Sequence, residues 1–228
     1  MPDIKHFNPD VVLDDAIQIF WRQGLPTTGI QALVTATGVS RSSLYATFGN
    51  KDGLYTAALG RYIDQHSVPA FAQLSSAGSG LTAIEEFFGG LIDVRCSGPV
   101  AGWGCMVTNA YAGPECADPG IRTLLEEHHS TLQSAMRTAL ATAAGLGQLQ
   151  PSTDLDDAAA VLATLAYGVN LRSRAGADAR SLTDTVTAAL GPLRAHPAPS
   201  PLERSPSLLE HSPPPQEQPP SPQEQPPQ

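Results

Sequence analysis

Residues 13–59, LDDAIQIFWRQGLPTTGIQALVTATGVSRSSLYATFGNKDGLYTAAL, decide the fold. Val11, Val12, Ala16, Ile19 and Phe20 recur at spacings of three and four, so they share one face of a first helix. Gly24 stops that helix, and Pro26 follows just beyond. A short second helix fits Thr28 to Gly38, bounded by a threonine and a glycine. Gly38-Val39-Ser40 then makes a tight turn whose serine caps a third helix, Arg41 to Phe48. Asn50 caps a long fourth helix with Asp52 in its first turn, and Leu54, Ala57, Ala58, Arg61 and Tyr62 follow in register. A longer helix followed by two short ones joined at a glycine turn is the order of a helix-turn-helix. Ile30, Leu33, Val34, Val39 and Leu44 can close its small core. Ser40, Arg41, Ser42, Ser43, Tyr45 and Thr47 are then left on the outer side of the third helix. Such side chains suit base edges and phosphates.

Beyond this head the pattern stays helical, with helices expected near 80–95, 104–111, 119–146, 154–175 and 179–193. SSAGSG, CSGPVAG, GPECADPG and QPSTD separate them. Alternating patterning is absent, so the chain reads as all-α. The division expected is 1–55 as the helix-turn-helix domain, 56–194 as a second helical domain, and 195–228 as a disordered tail. That tail holds twelve prolines and the repeat PQEQPP, at 215–220 and 222–227.

Charge is uneven along these parts. The formal net charge is −9, but residues 1–60 contribute only −1, against −5 for 61–194 and −3 for 195–228. A protein that coats nucleic acid through a generally basic surface is excluded, whereas a nearly neutral head with a few placed contacts is not. No membrane span or signal peptide is evident, and three cysteines are too few for a disulfide framework. A cytoplasmic, reducing setting is the simplest expectation.

The stretch from Leu13 to Leu59 resembles, without a gap, the DNA-binding domain of the TetR family of bacterial transcriptional repressors. Matching positions include Phe20, Gly24, Thr28, Ile30, Ala36, Gly38, Val39, Ser40, Leu44, Tyr45, Phe48, Lys51 and Leu54. The resemblance implies a double-stranded DNA operator as partner, with Thr28 on a phosphate and Arg41, Ser42 and Ser43 on base edges or the flanking backbone. It also implies that the Tyr45 hydroxyl and Lys51 meet phosphates. A core role for the Tyr45 ring is the alternative. Two positions depart from the family pattern. The basic arm before the first helix is reduced to Lys5 and His6, and Ser42 stands where glycine is common. A short arm predicts modest non-specific affinity and a shallow salt slope.

For the second domain, 56–194, the resemblance implies ligand binding and dimerisation, with an inducer site between helices and a homodimer built on the last two helices. Leu155, Ala159, Leu162, Ala163, Ala166 and Val169 offer a small-residue face on the first of these, and Val186, Ala189, Leu190 and Leu193 on the second. An ordinary core is the alternative. Phe71, Phe87, Phe88, Trp103, Met106, Tyr111, His128 and Tyr167 are the candidate pocket lining. His128 and His129 point about 100° apart, so at most one faces such a pocket, and a solvated pair is the simpler expectation. Cys96, Cys105 and Cys116 flank the short central helix. The GWGCMVTNAYAGPECADPGIRTLL stretch is similar to a TetR subgroup that includes the repressor of N-ethylmaleimide reductase, in which cysteine chemistry releases DNA. Cys105 at a helix start, with Cys96 and Cys116, is the redox-sensing candidate, and a buried inert thiol is the alternative. No metal or cofactor site is expected. The sequence contains no P-loop, GxGxxG, HExxH or GxSxG pattern, so no enzyme class is indicated.

Overall fold

The computed structural model describes residues 7–195. Lys5 and His6 of the short arm, and the expected disordered tail from His196 onward, lie outside the described residues. The helices are α1 (Pro9–Gln23), α2 (Ile30–Thr37), α3 (Arg41–Phe48), α4 (Lys51–Tyr62), α5 (Val68–Ser76), α6 (Leu81–Cys96), α7 (Met106–Ala112), α8 (Pro119–Gly145), α9 (Leu155–Arg174) and α10 (Ala179–Leu190). Among the described residues no strand forms, and the fold is all-α.

Local chemistry sets the helix ends. Asn8, Ser40, Asn50, Asp118, Asp154 and Asp178 each accept a hydrogen bond from a first-turn N–H of the helix they precede. Gly38 ends α2 in the left-handed region, at φ 66°. Gly53 is required for a different reason: a Cβ there would lie 2.1 Å from the Phe48 carbonyl oxygen, where α3 runs into α4. The expected long fourth helix is interrupted. A π-helical turn, Ile63–Ser67, joins α4 to α5. Pro69 follows at once, and a proline cannot donate to the carbonyl four residues back and clashes with it, so the wider turn absorbs the mismatch.

Two apolar clusters organise the packing. One joins Val12, Ala16, Phe20, Leu33, Leu44, Leu54 and Leu59 to Cys105, Met106, Val107, Ile121 and Leu125. The other is built from α5, α6, α9, α10 and the later part of α8. Packing is continuous across 55/56. Tyr55, Ala58, Leu59 and Tyr62 of α4 belong to the same cluster as α7, and residues up to Ala195 form one compact unit. The reason is that α4 is apolar on the side facing α1 and on the side facing α7.

Candidate nucleic-acid interface and the cavities behind it

The exposed face of α3 is the candidate interface. Leu44 is buried against Leu33, which fixes the helix's orientation and turns Ser40, Arg41 and Ser42 to solvent. Ser43, Tyr45 and Thr47 are half-buried at its edges. The Ser40 hydroxyl accepts from the Ser43 N–H at 3.2 Å and sits 2.9 and 3.0 Å from the hydroxyls of Ser42 and Ser43, so these serines form one hydrogen-bonded cluster at the helix start. The Arg41 guanidinium lies over the Tyr45 ring, 5.1 Å from its centroid, and no described carboxylate pairs with it. Residues 16–51 contain Arg22, Arg41 and Lys51 and no Asp or Glu. This acid-free run gives the face a local positive character inside an acidic chain.

Two expected phosphate ligands are placed otherwise. Thr28 is only 1% exposed, and its hydroxyl donates to the Gly24 carbonyl at 2.6 Å. It closes the α1–α2 turn instead of presenting its side chain outward. Lys51 is half-buried and donates to the carbonyls of Leu25 and Thr28 at 2.9 and 3.0 Å, capping that same turn from α4. Both side chains satisfy backbone groups that the turn leaves without helical partners. These bonds tie the α1–α2 turn to the start of α4.

The pocket residues named from sequence do not converge. Phe71 and His128 line a cavity of about 280 Å³ between the α4–α5 rod and α8, with Ile63, Val68 and Leu124. Phe87 lines a separate and larger one of about 530 Å³, walled by α1, the π turn, α5 and α6. Phe88 and Met106 are buried core residues. Trp103 packs edge-on against Trp21, and Tyr111 donates to the Leu125 carbonyl and packs edge-on against Tyr167. These four, with Tyr167, line neither cavity. The expected solvated histidine pair is also replaced. His128 is buried, with Nδ1 3.2 Å from the Tyr167 hydroxyl and Nε2 3.1 Å from the Ser67 hydroxyl. His129 stacks on the Tyr167 ring. Burial, and secondarily the neighbouring His129, lowers the His128 pKa to about 4, so it is neutral in ordinary buffers.

The fold also builds a buried network that the motifs do not announce. Arg95 is 7% exposed, donates from Nε to Asn170 Oδ1 at 2.7 Å and from Nη2 to the Tyr62 hydroxyl at 3.1 Å, and lies over the Trp21 ring. The Tyr62 hydroxyl donates in turn to Cys105 Sγ at 3.6 Å, and Trp21 Nε1 donates to the Gly104 carbonyl. Its one signal in the sequence is a charge on an apolar stripe: Ile84, Phe88, Ile92 and Arg95 share one side of α6.

Two family models account for most of the chain. Residues 12–58 match the bacterial regulatory proteins of the tetR family, and residues 80–189 match the tetracyclin repressor-like C-terminal domain. The chain belongs to the TetR family. Among its relatives, the HTH-type transcriptional repressor ComR of Escherichia coli K12 is 29% identical over 78% of this chain and 85% of its own length. The TetR-family regulator CifR, solved as a cysteine mutant complexed with 26-bp double-strand operator DNA, is 26% identical with a TM-score of 0.71, covering 85% of this chain and 99% of CifR. Reduced Escherichia coli NemR shares the fold, with a TM-score of 0.70 at 19% identity over 83% of this chain and 99% of NemR.

Within this TetR-family chain the three cysteines are free thiols in different settings. Cys105 is buried under Tyr62, while Cys96 and Cys116 are half-buried. Burial, then the nearby Asp178 and Asp93, pushes the Cys96 thiol up and away from thiolate. Most of the residues named for dimerisation face inward, and Leu155, Ala189 and Leu193 are half-buried. Ala159, Leu162, Ala163, Ala166 and Val169 of α9 and Val186 and Leu190 of α10 are buried in the chain's own core, facing α6 and α8. The apolar residues that α9 leaves outward are Val161 and Leu171, 62% and 52% exposed, with the half-buried Leu165 and Gly168 between them.

Proposed function

We propose that this chain is a homodimeric transcriptional repressor that reads a palindromic double-stranded DNA operator through α3 and is released when a small molecule occupies the body. The observation that carries the reading is the α3 face: exposed Arg41, Ser40 and Ser42 on a helix pinned from behind by Leu44, within a run free of acidic residues. Small hydroxyls and an unpaired arginine at a helix start reach base edges and phosphates in the major groove. The names of ComR, a repressor, and of CifR, solved on operator DNA, support the same assignment.

A palindrome needs a two-fold partner. The outward stripe Val161, Leu165, Gly168 and Leu171 on α9 is the candidate contact, and the open space around Gly168 lets a second helix approach closely. The test is a mobility-shift titration on the DNA upstream of the chain's own gene. Arg41→Ala lowers operator affinity at least about tenfold and reduces the slope of log K against log salt by about one. Unchanged affinity would overturn the role of α3. Val161→Asp should run as a monomer in size-exclusion chromatography and lose the shifted band.

Thiol modification is the second release route. Its support is the Tyr62–Cys105 contact, because an adduct on Cys105 displaces a side chain of α4 from α7. If Cys105→Ser protein still leaves operator DNA after N-ethylmaleimide treatment, Cys105 is not the switch.

A further inference from the structure

Arg95 is a buried cation without a counter-charge. Its described partners are an amide oxygen, a phenol and an indole ring, and no described carboxylate lies within ion-pairing distance. Both hydrogens on Nη1 and one on Nη2 have no acceptor among the described residues. A buried charge is costly unless it is paired. The place of Arg95 in the last turn of α6 suits a cation, and its remaining N–H groups stay open to a further acceptor.

Such an acceptor can come from the cavity which Arg95 borders. The cavity has about 530 Å³, within the range that holds a drug-sized ligand, and its α6 wall is Ala83, Phe87, Leu91 and Val94. Trp21 and Gln18 of α1 form the facing side, and His66 of the π turn contributes an imidazole. Burial and the Arg95 charge hold His66 below its ordinary pKa, so it meets the cavity as a neutral hydrogen-bonding group. Glu86 lies on the opposite flank of the α6 face, about 13 Å earlier along the helix axis, and is solvent-exposed. The cavity therefore carries a cationic group at Arg95, an apolar wall along Leu91, Phe87 and Ala83, and a carboxylate at the exposed Glu86 on the other flank.

We propose that this cavity binds an apolar monocarboxylate, with the carboxylate on Arg95 and the hydrocarbon body along Leu91, Phe87 and Ala83. A carboxylate takes two N–H groups of a guanidinium at once, which an amide or alcohol cannot match. The inference rests on the ligand-release reading above and gives it a chemical class. It also locates the coupling. One wall is α1, the first helix of the DNA-binding head, so a ligand here bears on the angle between head and body. It shifts the equilibrium only to the extent that it prefers one angle.

The test is isothermal titration calorimetry of the full chain without DNA, so its outcome is independent of whether an operator has been found. The probes are 4-phenylbutyrate and octanoate, each against its primary amide. Expected is a preference of at least tenfold for the acid in one pair or both. Arg95→Gln should bring the acid down to the amide's affinity, while Arg95→Lys, which keeps the charge, retains part of the preference and covers the case in which the first variant fails to fold. Gly90 lines the cavity, and a Cβ there meets nothing within 4 Å, so Gly90→Leu fills the space without a backbone clash and should abolish binding of both partners. Absence of an acid preference in both pairs, or undiminished acid binding by Gly90→Leu with a normal circular dichroism melt, overturns the proposal. Acid binding that leaves operator affinity unchanged keeps the site and breaks only the coupling.

Discussion

Residues 61–67 face two ways, and the two faces are held by different physics. Outward, Arg61 grips Asp14 of α1 through Nε and Nη2 at 2.6 and 2.8 Å, with Asp10 at 3.3 Å and Gln65 also donating to Asp14. Inward, Tyr62 meets Arg95 and Cys105, and Ser67 meets His128, which is held by Tyr167. The outer seam is solvated and made of full charges of opposite sign, so salt and strong acid govern it. The inner seam is buried and nearly uncharged apart from Arg95, so desolvation governs it. One helical rod thus carries a solvated seam to α1 and a buried seam to the core.

The largest effect that separates them is the response to mild acid. His128 has a folded pKa of about 4 against an ordinary value of 6.5, so the unfolded chain binds the extra proton first. Its contribution is complete above pH 6.5, falls as the pH drops, and is gone below pH 4. The loss is about 3 kcal/mol over that window. Denaturant titrations at a series of pH values should show the slope, and His128→Gln should remove it even where its plateau is lower. The outer seam answers later. Asp14 is drawn down to about 2, chiefly by its hydrogen bonds from Arg61, so its contribution holds above pH 3.8 and is lost only as the pH falls toward 2. Coincident acid transitions of wild type and His128→Gln would break the contrast.

Next in size is Tyr62→Phe. Removing this hydroxyl takes an acceptor from Arg95 and a donor from Cys105 at a buried position, which costs about 1–2 kcal/mol. Chemical denaturation at neutral pH measures it, and the loss should not depend on salt. The smallest effect belongs to Arg61→Gln. Its guanidinium is part-exposed, so the loss in melting temperature is minor and should vanish at about 1 M salt, where screening already removes the pairing. A salt-independent loss at Arg61 would mean that packing, not charge, holds the outer seam.

Much of the fold is legible in the residues themselves. The caps Ser40, Asn50, Asp154 and Asp178 and the stop at Gly38 are short-range devices, each visible from residues a few positions apart. The exposed face of α3 follows from the same periodicity. The π turn is hidden because a helical pattern runs through residues 51–76 and only Pro69 marks the break. Lys51 and Thr28 look outward-facing along the chain because sequence shows charge and polarity but not the backbone carbonyls that claim them. On α9 the small residues do form a packing face. Which partner they pack on is not legible, since the second apolar row at Val161 and Leu171 looks equivalent in one dimension.

The sequence by itself determined the helices, their order and the family, because capping, turn chemistry and apolar periodicity act over a few residues. Only the tertiary structure decided which polar groups lose water and which cation goes unanswered. Arg95 and Asn170 are 75 positions apart, and Trp21 and the Gly104 carbonyl are 83 apart. Desolvation is set by everything packed around a group, so an arginine that looks like any other along the chain becomes a buried charge only when α1, α4, α6 and α9 close upon it.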